Sequence, residues 1–289
     1  MAKESKHHYI PVFYLKQWAG SDGRLCEFSR PHTNVKPRMT HPDGTAYVRG
    51  LYTFPNLPPE ARNFIENKLL QMADDQAALA LRRMVGGDMD FDSDTRSAWC
   101  RFLMSLMHRT PERIAQLRRM VEERYPKHME AARARWHEIK HPDDPRTIDE
   151  VLAVGIKDIE HVNILLLQMA MDSKPVGDEL ITMVWGSIHF HNPGFRLLTS
   201  DRPTIMTNGI KHDYSHIVLP ICPDRVFVAA RSRQIVQKLK LVFDRPETPA
   251  RLNDLIARQA RRFVYDTTDV QLRFVENRLG QRIRSSPFD

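Results

Sequence analysis

The spacing of apolar and polar positions changes character three times along the chain. In residues 1–58 it is short-ranged. Arg24-Leu25-Cys26-Glu27-Phe28-Ser29 alternates as a half-buried strand does, and Tyr47 to Phe54 reads as a second extended stretch stopped by Pro55 and Pro58-Pro59. Pro31, Pro37, Pro42 and Asp43-Gly44 mark the loop between them. Over residues 59–172 the spacing becomes helical. Phe64, Ile65, Leu69, Met72, Ala73, Leu79 and Ala80 recur at three- and four-residue steps until Gly86-Gly87 ends the run. Ser93 or Asp94 is placed to cap a helix carrying Trp99, Phe102, Leu103 and Leu106. Thr110-Pro111 opens another, reaching about Lys140 with a kink or break before Pro126. Thr147 and Glu150 form a capping box for a third that ends near Met171.

In residues 175–289 β-formers dominate. Strands are expected over 181–190, 195–199, 216–221 and 225–230, followed by a helix from Asn253 to Phe263 and a frayed tail. Strands, then helices, then mainly strands predict an α+β fold: an extended N-terminal arm, and a helix-rich middle packed on a mostly antiparallel or mixed C-terminal sheet. No linker is long enough to demand separate domains, so one large domain over residues 1–289 is expected.

Composition narrows the class. With 42% hydrophobic and 27% charged residues in 289, the chain is globular in type, and no apolar run is long enough to span a bilayer. Three scattered cysteines, Cys26, Cys100 and Cys222, fit neither a disulfide framework nor a zinc knuckle, and no signal-peptide pattern opens the chain. A cytoplasmic protein without membrane contact is expected. The net charge of +7 favours a nucleic acid or another phosphate-bearing ligand, although Arg mixed with Glu and Asp is also what a solvated helix face looks like.

No phosphate loop, dinucleotide fingerprint, zincin motif or nucleophile elbow is present. Four polar residues stand out instead. His8 precedes the aromatic stretch Tyr9-Ile10-Pro11-Val12-Phe13-Tyr14-Leu15, where an imidazole suits a general base or metal ligand. Glu66 lies among apolar neighbours that would raise its pKa if it were buried. Arg109 sits at a helix junction, placed to grip an anion in two-point contact. Asp201 ends an expected strand, just before Arg202-Pro203. Each also has a structural reading: packing for His8, solvation for Glu66, a helix cap for Arg109, and an Asx turn for Asp201. The pairs His189/His191 and His212/His216 have metal-ligand spacing but lack a third ligand.

His8-Tyr9-Ile10-Pro11-Val12-Phe13-Tyr14-Leu15, Arg109-Thr110-Pro111, Thr199-Ser200-Asp201-Arg202-Pro203 and Leu219-Pro220-Ile221-Cys222-Pro223 occur in an order that resembles the bacterial domain-of-unknown-function (DUF) family 4238. The resemblance spans about residues 7–265. It departs at Arg202, where the family commonly has Asn. It places His8, Glu66, Arg109 and Asp201 in or near family motifs but implies no settled activity. Two functions stay open. One is a nuclease-like hydrolase of a phosphate-containing substrate, with these four residues converging in a cleft and a divalent metal as candidate cofactor. The alternative is a non-catalytic binding or regulatory module, concerned with nucleic acid or host defence, in which the same residues form a structural polar network.

Overall fold

The computed structural model describes residues 6–52, 70–154, 159–190 and 196–281. The N-terminal part contains Lys6–His8 (β1), Val12–Leu15 (α1), Leu25–Ser29 (β2), Lys36–Thr40 (β3) and Tyr47–Arg49 (β4). Seven helices follow: Gln71–Val85 (α2), Ser93–His108 (α3), Pro111–Ala134 (α4), Trp136–Ile139 (α5), Ile148–Val154 (α6), Ile159–Met171 (α7) and Lys174–Thr182 (α8). The C-terminal part comprises Val184–His189 (β5), Thr199–Ser200 (β6), Ile205–Thr207 (β7), His216–Cys222 (β8), Arg225–Ala230 (β9), Arg233–Phe243 (α9), Thr248–Gln259 (α10), Phe263–Asp266 (β10) and Leu272–Glu276 (α11).

The fold is α+β, and every strand pairing among the described residues is antiparallel. The strands form three sheets, not one C-terminal sheet. β1 pairs with β4, one four-stranded sheet has the order β3-β2-β10-β6, and the other β5-β9-β8-β7. The N-terminal strands are thus completed by strands from the other end of the chain. β8 and β9 show why. They are apolar at nearly every position, which requires cover on both faces. Ile217, Leu219, Ile221, Phe227 and Ala229 pack into a core shared with α2 and α3, while Val218, Val226, Val228 and Ala230 face a second core with α9 and α10.

Local signals explain most boundaries. The side chain of Asp92 accepts from Thr95 N at 2.7 Å and caps α3, one residue before the expected Ser93. Thr110 caps α4 with Pro111 in its first turn, and Gly87, at φ 88°, turns the chain away from the end of α2. Several expectations need correction. The last expected helix stops at Gln259 so that Phe263 opens β10, and the expected loop after β2 contains β3. The arm is extended only through β1, because Tyr14 N and Leu15 N both turn back to Pro11 O to make α1. α4 continues through Pro126 without a break. The strand expected from residue 181 begins at Val184, since Pro175 sits in the first turn of a helix that lasts to Thr182. α9 was not anticipated, although Ser232 caps it by accepting from Ile235 N.

Candidate functional site: the cleft between the N-terminal arm and α2

The aromatic stretch after His8 is a docking segment. Tyr14 OH donates to Pro220 O at 2.7 Å and pairs with Thr199 Oγ1 at 2.7 Å. The register shift between Pro220 and Cys222 coincides with this contact. Trp18 Nε1 donates to Leu197 O at 2.8 Å. The arm therefore folds back onto the segment leading to Asp201, across more than 180 residues of chain.

His8 is not the residue that faces Asp201. Side chains alternate along an extended segment, so His7 and Tyr9 turn inward and are buried while His8 is half-exposed between them. Burial raises the pKa of the Tyr9 phenol, and the charge of Asp201 adds to that rise. His8 and Asp201 share no hydrogen bond or ion pair. The Asp201 carboxylate accepts from the backbone N–H groups of Arg261, Arg262 and Phe263 at 2.9, 2.7 and 3.3 Å. Burial pushes this carboxyl up to about 6, against the pull of the Arg261 and Arg262 N–H groups.

His8 instead lines a cleft of about 430 Å³ together with Lys16 from the arm and Asp74 and Asp75 from α2. Its Nε2 lies 3.3 Å from Asp43 O. A carbonyl can only accept, so Nε2 carries the proton in this contact and Nδ1 keeps its lone pair. Burial lowers the pKa of His8, the Asp43 carbonyl works against that shift, and Lys6 reinforces it. Asp74 moves the other way. Burial raises its pKa, the Arg109 guanidinium opposes the rise, and Asp75 adds to it.

Arg109 lies behind Asp74, fully buried, with Nη1 at 3.2 Å from each Asp74 oxygen. Its Nε and Nη2 have no hydrogen-bond partner among the described residues, and the guanidinium carbon is 5.9 Å from the centre of the Phe102 ring. Tyr52 OH donates to Arg109 O at 2.9 Å, and Tyr52 N donates to His7 Nδ1 at 2.9 Å. His7 stacks on the Tyr52 ring with centroids 5.3 Å apart. This chain of contacts fixes β1 against the corner between α3 and α4.

Of the four residues singled out by sequence, His8 lines the cleft and Arg109 supports it from behind. Asp201 does not line it, and Glu66 lies outside the described residues, as does His191. Sequence reasoning missed Lys16, Asp74 and Tyr52. Asp74 carried a usable signal: it adjoins Ala73 and Ala77 on the buried stripe of α2, where a carboxylate needs a partner. Among the described residues, no group of three His, Cys, Asp or Glu is placed to hold a metal ion. No described helix is long and apolar enough to cross a membrane.

The arm, helical middle and paired sheets together fall within a family of unknown function. Residues 6–269 match the family described as "Protein of unknown function (DUF4238)", and the chain is a member of it. No curated protein and no solved structure matches the chain.

Proposed function

We propose that the cleft between the arm and α2 hydrolyses a phosphate-bearing substrate, with water as the nucleophile. The observation that supports this is the meeting of a neutral imidazole, a lysine and two carboxylates in one cleft backed by a buried guanidinium. His8 Nδ1 takes a proton from the attacking water as its oxygen bonds to phosphorus. The phosphorus–oxygen bond to the leaving group breaks, and that oxygen takes a proton from solvent water, while Asp74 stays ionised against Arg109. Lys16 holds the non-bridging oxygens. Arg109 orients Asp74 and stays out of contact with substrate. Two carboxylates and substrate phosphate oxygens also make a suitable seat for Mg²⁺. The test is incubation with DNA, RNA and nucleotides in Mg²⁺ or Mn²⁺, with and without chelator. Cleavage that falls roughly a hundredfold in His8→Ala supports the proposal. No turnover of any substrate by wild type overturns it.

A second reading rests on Arg109, whose Nη1 is held by Asp74, and on Asp201, whose carboxylate is taken up by backbone N–H groups. In it the protein is a non-catalytic binding module, and the same groups hold arm, helices and sheets together. It predicts that His8→Ala lowers the melting temperature by several degrees, whereas at a catalytic position the change leaves it equal or higher.

A further inference from the structure

We propose that a second cleft, at the join of β2 and β10, binds a nucleoside phosphate, either free or at the end of a single strand. The cleft measures about 430 Å³ and is lined by Arg30, Arg261, Arg262 and Phe263, with buried Leu279 on its wall. That size lies within the usual range for small-ligand sites. Among the described residues, three arginines and no acidic side chain line it. Guanidinium groups match phosphate oxygens in two-point contact, and the half-buried Phe263 ring offers a face for a base.

The cationic wall is held in place. Asp201 accepts from the N–H groups of Arg261, Arg262 and Phe263, and its own N–H donates to Phe263 O at 3.0 Å. One buried carboxylate thus pins the stretch that presents two of the arginines and the ring. Arg30, just past the end of β2, donates to Thr33 O in the following loop at 3.0 Å and to Glu276 O at the end of α11 at 2.7 Å, which orients its guanidinium. This gives the Thr199-to-Pro203 motif a role that the arm cleft does not: Asp201 is a positioning residue for an anion site. Glu112 is the acid that competes for the site, 3.3 Å from Arg262 Nε. The inference does not depend on hydrolysis in the arm cleft.

The test is titration of the full chain with two probes, adenosine monophosphate by calorimetry and a labelled 5′-phosphorylated oligonucleotide by anisotropy. Binding of the nucleotide identifies the free ligand, and binding of the strand alone identifies a strand end. Arg30→Ala and Arg262→Ala are each expected to weaken binding roughly tenfold. Lys238→Ala, which removes the same charge from exposed α9, should leave it unchanged. Glu112→Gln frees Arg262 and should tighten binding several-fold, a gain that a loss of folding cannot imitate. The proposal is overturned if neither probe binds at millimolar concentration, if Arg262→Ala behaves like Lys238→Ala, or if Glu112→Gln fails to tighten binding.

Discussion

Removing the Asp74 carboxylate would leave the Arg109 guanidinium buried without its counter-charge, and burial of an unpaired charge costs far more than the pair contributes. Asp74→Ala is therefore expected to destabilise the protein by about 3–5 kcal/mol. Asp74→Asn, which keeps one acceptor oxygen for Nη1, should cost clearly less. Urea unfolding of the two variants separates them, and equal losses would refute the buried ion pair as the cause. His108 gives a pH signature. Burial, reinforced by Arg113, lowers its pKa to about 4 from the ordinary 6.5. The unfolded chain then takes up the proton first as pH falls through 6.5, so stability held above that pH is lost between 6.5 and 4. His108→Gln should lose less stability than wild type between pH 7 and pH 5, by on the order of 1 kcal/mol. Parallel pH profiles would remove His108 from the acid response. At this scale residue chemistry was legible but direction was not. His8, Arg109 and Asp201 could be chosen by type, yet whether a guanidinium grips a ligand or Asp74 depends on a helix far away in sequence.

At the scale of elements, caps and periodicity did most of the work. Thr110-Pro111 opens α4 and Gly86-Gly87 closes α2 as their chemistry requires. Pro126 is the informative exception, because α4 runs past a residue that supplies no N–H to the helix ladder. Pro126 is exposed, so water can satisfy the carbonyl left without a donor. Pro126→Ala should consequently stabilise the protein by about 1–3 kcal/mol. A lower melting temperature for this variant would mean that the proline is needed for local geometry. α1 and α9 escaped the sequence for different reasons. α1 is a single turn, too short to establish a period, and it is held by Tyr14 docking on β8 and by the following Trp18 docking on the segment before β6. α9 does carry a signal, since Ile235, Val236, Leu239 and Phe243 recur at helical spacing and pack on the second core, but it follows directly on β9 and reads as a continuation of the strand-rich region.

For the whole molecule, the order of strand-rich and helix-rich regions was enough to place the fold in the α+β class. It could not show that β2 and β3 share a sheet with β10 and β6, because antiparallel partners more than 200 residues apart leave no local trace. The same limit hid both clefts. One is made by the arm against α2, and the other by the end of β2 against the start of β10. Their common feature is an N-terminal segment completed by a later part of the chain, with the helical middle and the paired sheets as its frame. The hydrolysis proposed for the arm cleft is most directly tested by ³¹P nuclear magnetic resonance of a mixture of phosphate mono- and diesters incubated with the protein and Mg²⁺. New phosphate resonances are expected with wild type and should be lost with His8→Ala, while Glu112→Gln beside the other cleft should retain them. An unchanged spectrum with wild type, or the same products from His8→Ala, would contradict the assignment of His8 as the proton acceptor.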